Sequence, residues 1–247
     1  MNSKIRIGAV SYLNTKPFLY GLEQKPFADR IELIQDYPAN LSSLLQKDKI
    51  DIALLPVVAI KGITDASIIS DYCIGSESEV ASVCLYSEVP IEEIQTILLD
   101  YQSRTSVALL KILLDKYWQT RPMLLEANEN FISDIKDKTA GLVIGDRALA
   151  LTNTYPYVYD LAACWNEYTR LPFVFATWVA NKKINEAFIK DFNSALQVGL
   201  ENIDKIIENN TSDHYDLAVY YKQNISFELD EKKKNAMTLF LKLIELM

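Results

Sequence analysis

The chain has 247 residues, of which 49% are hydrophobic and 23% are charged, a composition typical of a globular protein rather than a disordered or fibrous one. Its 25 basic and 33 acidic residues give a formal charge of −8, which argues against a nucleic-acid or anionic-membrane surface, because such surfaces need basic patches. The single histidine argues against most metal sites and against most mechanisms that use an imidazole base.

In chain order, short apolar runs alternate with helical patterns, which is typical of α/β proteins with mainly parallel sheets. The first half predicts strands at 5–10, 31–35, 50–55, 83–86 and 96–99, a helix that opens at 14–17, and helices at 40–46 and 107–118. The second half predicts strands at 142–144 and 173–180 and helices at 161–168, 185–208 and 231–247. The last helix is amphipathic, and we expect its apolar face to dock on the core.

No Gly-, Ser- or Pro-rich linker interrupts the chain, so a second domain has to be joined by strands rather than by a flexible tether. Two apolar strands, near 83–86 and 175–179, are candidates for a pair of crossings between two lobes. One lobe would then be discontinuous and consist of residues 1–86 and 178–247. The other lobe would span residues 87–177.

The three cysteines, Cys73, Cys84 and Cys164, form no C-x-x-C pair, so neither a zinc site nor a disulfide framework is predicted. We interpret them as small buried hydrophobic residues in a reducing compartment. The first eight residues contain no apolar segment of a signal peptide, and no uncharged apolar run approaches the roughly 20 residues of a membrane span. We therefore expect a cytoplasmic protein without a metal, an organic cofactor or a membrane partner.

The first predicted strand runs into a polar loop before a helix starts. Such a loop lies at the carboxyl end of a strand, where open α/β sheets bind ligands, and free N–H groups at a helix start suit an anion. This interpretation makes Ser11, Asn14 and Thr15 candidate ligand-binding residues. The alternative is that Asn14 or Thr15 only caps the helix.

Hydroxyl side chains gather at a second strand end, where Ser103, Thr105 and Ser106 open the helix that follows the strand at 96–99. With the free N–H groups there, they form either a carboxylate cradle or a helix cap without an acidic partner. Ser82 stands alone before a proposed crossing strand. By itself, a serine at such a place is more typical of an ordinary turn or strand.

Three further features follow the strand at 142–144. Gly145 allows a ligand to approach the backbone closely, and Asp146 is interpreted as the cap of the next helix. The aromatic residues of 160–178, with Phe173 among them, either line a pocket or belong to the core.

His214 lies in a polar helix start and is interpreted as a surface residue. No G-x-S-x-G, P-loop, G-x-G-x-x-G or H-E-x-x-H motif is present.

Five of these segments, taken in order, resemble the chorismate dehydratases of the futalosine route to menaquinone. They are VSYLNTKPF (10–18), EVASV (79–83), DYQSRTS (100–106), LVIGDRAL (142–149) and DLAACWNEYTRLPFVFATW (160–178). The resemblance implies the type II periplasmic-binding-protein fold, with two α/β lobes, two crossing strands and a ligand cleft between the lobes. This fold agrees with the discontinuous lobes inferred from the strands.

The resemblance also implies the reaction, in which chorismate loses water to give 3-[(1-carboxyvinyl)oxy]benzoate. By the match to SYLNT, Asn14 is the candidate for a catalytic contact, and Ser82, Thr105 and Ser106 match positions that hold carboxylates. The other predicted substrate-binding residues are Ser11, Thr15, Ser103, Gly145 and Phe173. No Asp, Glu or His stands out as a general base. One hypothesis is substrate assistance, in which the enolpyruvyl carboxylate of chorismate takes the proton while Asn14 orients it.

Arg170 departs from the family pattern, because a glycine is expected between Thr169 and Leu171. It either brings a cation toward the cleft or faces solvent.

Two alternative functions stay open. The sister enzyme of the pathway acts on a dehypoxanthine futalosine derivative, but SYLNTKP is the dehydratase form of the first loop, and the sister enzyme is expected to use a cleft histidine. The other alternative is a non-catalytic protein that binds a small carboxylate.

Overall fold

The computed structural model describes residues 4–247, so the first three residues, at which the predicted first lobe begins, lie outside the described part of the chain. The strands are β1 (Ile5–Ala9), β2 (Ile31–Gln35), β3 (Ile52–Pro56), β4 (Ser67–Ser76), β5 (Val83–Ser87), β6 (Thr96–Leu99), β7 (Met123–Glu126), β8 (Thr139–Ile144), β9 (Tyr157–Asp160), β10 (Phe173–Ala180) and β11 (Ser226–Glu228). The helices are α1 (Lys16–Leu22), α2 (Pro38–Gln46), α3 (Val57–Ile60), α4 (Arg104–Ile112), α5 (Asp146–Leu149), α6 (Leu161–Thr169), α7 (Glu186–Glu201), α8 (Ile203–Glu208), α9 (Leu217–Val219) and α10 (Glu231–Glu245). Turns of π-helix, Leu113–Tyr117 and Tyr220–Asn224, extend α4 and α9.

Within residues 4–247 the strands form two separate sheets, ordered β11-β4-β10-β3-β1-β2 and β7-β6-β8-β5-β9. β1 pairs in parallel with β2 and β3, and β6 pairs in parallel with β7 and β8. β5 and β10 run antiparallel to both of their neighbours. The sheets are therefore mixed rather than mainly parallel as predicted. After each change of sheet, the first strand, β5 or β10, runs antiparallel to its neighbours.

The chain changes sheet twice. It leaves the first sheet after β4 and reaches β5 through residues 77–82, and it returns from β9 to β10 by way of α6. The strands predicted as crossings, β5 and β10, each pair within one sheet. The lobe boundaries at residues 86 and 178 stay a prediction.

Both connections contain a non-glycine residue in the left-handed region, Ala81 and Arg170, each with φ near 61°. Arg170 ends α6, where its N–H donates to the carbonyl of Asn166 at 2.8 Å, and its side chain is exposed. The residue that replaces the expected glycine thus faces solvent rather than the cleft. A side chain with a Cβ is strained in this conformation, whereas glycine adopts it readily.

Replacing Arg170 with glycine is expected to raise the free energy of unfolding by about 0.5–1 kcal/mol, because relief of the left-handed strain outweighs the larger entropy of the unfolded chain. Urea denaturation measures the change. Arg170→Ala is the matched control, since it keeps the Cβ and should give no gain. Equal stability of the two variants would show that the strain is absent.

The C-terminal helix α10 contacts elements of both sheets, as its predicted docking on the core requires. The Phe240 ring lies 6.0 Å from Trp165 of α6 and 4.9 Å from Phe173 of β10, measured between ring centroids. Lys233, which is 1% exposed, forms an ion pair with Glu77 in the first connection between the sheets. α10 therefore packs directly against the segments that join the sheets.

The three cysteines are buried and free, as predicted. The helix predicted over 185–208 is divided at Asn202, whose φ of −110° and ψ of 23° separate α7 from α8. In the described part of the chain, no helix combines the length and the apolar character that crossing a bilayer requires.

Candidate active site

A cavity lies between the two sheets, where β1, β3, β6 and β8 end. Most of the wall is apolar, and the polar side chains in it are those of Tyr12, Asn14, Ser82, Gln102, Ser103 and Ser106. The cavity occupies the strand ends at which the sequence predicted a ligand site.

The loop after β1 brings Asn14 to the cavity. Residues Leu13–Thr15 form a 3₁₀ turn, and the N–H of Thr15 donates to the carbonyl of Tyr12 at 3.0 Å. The buried Thr15 hydroxyl donates to Oδ1 of Asn14 at 3.1 Å. Neither side chain caps α1, whose N-cap position makes no side-chain hydrogen bond. The structure thus favours the interpretation of Asn14 as a cavity residue over the capping alternative.

The start of α4 combines the two roles that the sequence left open. Oγ of Ser103 accepts a hydrogen bond from the N–H of Ser106 at 3.1 Å and therefore caps the helix. The two hydroxyls lie 2.8 Å apart, and both residues line the cavity. Thr105 lies outside the wall, with its Oγ1 accepting from the N–H of Val58 at 3.4 Å.

Gly145, at the end of β8, also lines the cavity. Its φ of 64° and ψ of −146° belong to a region that only glycine occupies readily. A Cβ at this position would meet only Tyr12 Cδ1, at 4.0 Å, so backbone conformation rather than crowding requires glycine here. The Gly145 N–H donates to the carbonyl of Ser82 at 2.7 Å, which joins the first connection to the end of β8.

Two hydrogen bonds hold the first loop against the second sheet. The Tyr12 phenol donates to Oε1 of Gln102 at 3.1 Å, and the N–H of Leu13 donates to Oδ1 of Asp146 at 3.3 Å. They join the loop after β1 of the first sheet to residues that follow β6 and β8 of the second.

A buried ion pair lies behind the wall. Asp100 pairs with Arg147 at 2.8 Å and also accepts from the N–H groups of Gln102 and Ile144. Burial raises the pKa of Asp100, while these donors favour its ionised form. The pair positions Gln102 on one side of the cavity and Ile144 on another, and both residues line the wall.

Within residues 4–247 the cavity wall contains no carboxylate, imidazole, ammonium or guanidinium group. Its phenol, Tyr12, stays neutral at physiological pH, because burial raises its pKa to about 12. His214 is exposed and lies outside the wall. No group of three or more His, Cys, Asp or Glu side chains in the described residues could hold a metal ion. The wall therefore offers neutral hydrogen-bond donors and apolar contacts.

Asp160 links the first connection to α6. Its Oδ1 caps α6 by accepting from the N–H groups of Ala162 and Ala163, and its Oδ2 accepts from Val80 at 2.9 Å and Ala81 at 2.6 Å. Burial raises the pKa of Asp160 to about 6, although these four donors oppose the shift. The carboxylate thus fixes the backbone immediately before Ser82.

Asp160 is expected to give the protein a specific pH dependence. Between about pH 4 and pH 6 the folded state holds a proton on Asp160 that the unfolded state has released, so raising the pH across this window lowers the free energy of unfolding. Urea denaturation of the wild type and of Asp160→Asn across this range measures the effect. The wild type should lose stability relative to the variant as the pH rises. A constant difference in the free energy of unfolding between the two proteins would contradict the raised pKa of Asp160.

The predicted site residues divide into two groups. Asn14, Ser82, Ser103, Ser106 and Gly145 meet at the cavity. The structure does not bring the others to the wall, and these are Ser11, Thr15, Thr105 and Phe173.

Each residue of the second group has a different environment. Ser11 is exposed and faces a surface groove, and Phe173 packs against Trp165 in the core. Phe175 and Ala176, two and three positions after Phe173, line the wall instead. A register shift between Val174 and Ala176 lets these two neighbours both reach it. The binding roles of all nine residues stay predictions.

The polar wall residues Tyr12 and Gln102 were not predicted. Tyr12 belongs to the SYLNT stretch and Gln102 to the DYQSRTS stretch. Their position at the ends of β1 and β6, beside residues that were predicted, is the signal that could have identified them.

Comparison with known proteins supports the resemblance seen in the sequence. A family model described as menaquinone biosynthesis matches residues 5–245. The chorismate dehydratase of Thermus thermophilus is 26% identical over 257 aligned residues, which cover 95% of this chain and 93% of the relative. The chorismate dehydratase of Campylobacter jejuni is 26% identical over 239 aligned residues, which cover 95% of each chain.

Solved structures with low sequence identity share the fold. A protein from Archaeoglobus fulgidus superposes with a TM-score of 0.76 at 15% identity and covers 100% of this chain and 98% of its own. The periplasmic aliphatic sulphonate binding protein of Escherichia coli has a TM-score of 0.65 at 13% identity, with 100% and 92% of the two chains covered. These likenesses confirm the predicted periplasmic-binding-protein-like α/β fold. By its match over residues 5–245, the chain belongs to the menaquinone biosynthesis family.

Proposed function

We propose that this protein is a chorismate dehydratase, which converts chorismate to 3-[(1-carboxyvinyl)oxy]benzoate and water. The observation that carries the proposal is the cavity between the sheets, whose wall in the described residues combines hydroxyl and amide donors with apolar side chains and contains no charged group. The names of the two bacterial relatives and the description of the family agree with this activity.

The chemistry of the wall suits this substrate. Chorismate carries two carboxylates and a ring hydroxyl around an apolar diene ring. The side chains of Ser82, Ser103, Ser106 and Asn14 can donate hydrogen bonds to carboxylate oxygens, and such bonds to a charged acceptor are stronger than neutral ones. Phe175 provides an apolar surface for the ring. The net charge of −8 opposes a dianion only weakly, because salt screens surface charges over about 8 Å.

The proton acceptor in this proposal is the substrate itself. Dehydration requires loss of the ring proton at the enolpyruvyl-bearing carbon and loss of the neighbouring hydroxyl. Since no carboxylate or imidazole of residues 4–247 lines the cavity, the enolpyruvyl carboxylate takes the ring proton. The C–H electron pair forms the new ring double bond as the hydroxyl departs, and the proton held by the enolpyruvyl carboxyl passes to the leaving hydroxyl to give water. Asn14 orients the carboxylate, and aromatisation drives the reaction.

Incubation of the purified protein with chorismate tests the proposal. We expect a product that is lighter by one water and absorbs as a benzoate, detected by mass spectrometry and ultraviolet absorbance. Heat-denatured protein serves as the control for spontaneous decay of chorismate. Absence of product from the folded protein would contradict the proposed activity.

The same assay separates the alternatives. Turnover of a dehypoxanthine futalosine derivative without turnover of chorismate would favour the sister enzyme. Saturable binding of chorismate without product would favour a carboxylate-binding protein. The position of His214 supports the dehydratase over the sister enzyme, because this histidine is exposed and outside the cavity wall.

A biosynthetic enzyme that acts on a central metabolite fits the cytoplasm, where we place the protein. The proposal includes a small-molecule substrate and requires no nucleic-acid or membrane partner. It also requires no redox cofactor, because elimination of water from chorismate changes no overall oxidation state.

A further inference from the structure

Tyr220 lies behind Ser82, a candidate site residue in the cavity wall. It opens the π-helical turn Tyr220–Asn224 and is completely buried. Its phenol donates to Oγ of Ser82 at 3.0 Å. Ser82 precedes β5 of the second sheet, whereas Tyr220 lies between α9 and β11, after the chain has returned to the first sheet.

The direction of the bond to Ser82 has a chemical consequence. A serine hydroxyl has one hydrogen and two lone pairs. The Tyr220 phenol is the donor of this bond. One lone pair of Ser82 is therefore occupied, and its own hydrogen points elsewhere. Among the described residues no second partner bonds to Ser82 Oγ, and Ser82 lines the cavity, so this hydrogen is available to a ligand.

We propose that Tyr220 is a positioning residue that makes the Ser82 hydroxyl a donor for one carboxylate of the substrate. This inference rests on the proposed function. Tyr220 does not line the cavity and acts through Ser82, which does. Its neighbour Tyr221 has a related role for the backbone, since its phenol donates to the carbonyl of Leu13 at 2.8 Å.

The test is a double-mutant cycle on kcat for chorismate. Tyr220→Phe removes the phenol and keeps the ring, and we expect kcat to fall about tenfold, the factor that corresponds to one lost hydrogen bond. If Tyr220 acts through Ser82, the same substitution in a Ser82→Ala background should cost less than about twofold. Far-ultraviolet circular dichroism and urea denaturation establish that each variant is folded.

Tyr86→Phe is the matched control. Tyr86 is 2% exposed, and its phenol donates to the carbonyl of Ala148 at 2.7 Å, so this variant loses a comparable buried hydrogen bond away from the cavity wall. We expect its stability to fall as much as that of Tyr220→Phe, with kcat within twofold of the wild type. A purely structural role of Tyr220 would give the two variants the same kcat.

The outcomes separate this inference from the proposed function. If the wild type is active but Tyr220→Phe leaves kcat unchanged, or lowers it equally with and without Ser82, the positioning role is overturned. The dehydratase proposal then stays intact. If the wild type binds chorismate without converting it, the cycle is measured on the dissociation constant, with the same expected coupling. A wild type that neither converts nor binds chorismate overturns both.

Discussion

Replacement of Asn14 by alanine is expected to lower kcat for chorismate dehydration by about 100-fold or more, with a much smaller change in KM. Asn14 lines the cavity, and its Oδ1 is held by a hydrogen bond from the Thr15 hydroxyl. A donor held in place before the reaction contributes mainly to the transition state, and its removal typically costs two to three orders of magnitude in rate. Steady-state kinetics on purified wild type and variant measures both constants.

The Asn14 prediction needs a control for general effects of losing an amide. Asn130→Ala serves this purpose, because Asn130 is exposed and lies outside the cavity wall. Its kcat should match that of the wild type. An unchanged kcat in Asn14→Ala would remove Asn14 from the mechanism. A large rise in KM at constant kcat would instead assign it to uniform substrate binding.

Gly199→Ala is expected to lower the free energy of unfolding by about 3 kcal/mol, the largest effect on stability that we predict. α1 and α7 pack so closely that a Cβ at Gly199 would lie 1.7 Å from the carbonyl oxygen of Pro17, and one at Gly21 would lie 1.9 Å from that of Ala195. The overlapping atoms belong to the backbone, so no change of side-chain rotamer relieves them. The helices have to separate, and this cost exceeds the gain in helix propensity from glycine to alanine.

Urea denaturation measures the loss, with Val198→Ala as the control on the same helix. Val198 is 37% exposed, so its truncation should change stability by no more than about 0.5 kcal/mol. α1 follows the loop that carries Asn14, and separation of the helices should therefore reduce activity as well. A Gly199→Ala variant as stable as the control would mean that the two helices pack less closely than the structure shows.

Hydrophobic patterning predicted the elements with a buried face. The strands at 31–35, 96–99 and 173–180 agree with β2, β6 and β10, and the helix at 161–168 agrees with α6. The missed strands lack such a face. β7 and β9 lie at the two edges of the second sheet and are largely exposed, and the first half of β4 is interrupted by exposed residues. A strand of this kind is specified by its neighbours rather than by its own apolar residues.

The candidate site was predictable where the chain leaves a strand. Asn14, Ser103 and Gly145 each follow a strand end and reach the cavity, as topology requires. Ser103 and Ser106 share one face of α4 because they are three positions apart, and this spacing leaves Thr105 on another face. Tyr220 could not be identified in this way. It lies 206 positions after Asn14, in a segment whose aromatic residues show no local pattern that points to the cavity.

The place of β10 in the first sheet has a consequence for how the chain is made. β10 separates β3 from β4, yet the ribosome produces it only after every strand of the second sheet, which extends from β5 to β9. During translation the second sheet can therefore complete its pairing first. The facing edges of β3 and β4 meanwhile lack their common partner, and unpaired strand edges of this kind invite association with other chains. A nascent chain that stops before residue 173 would retain this exposed gap.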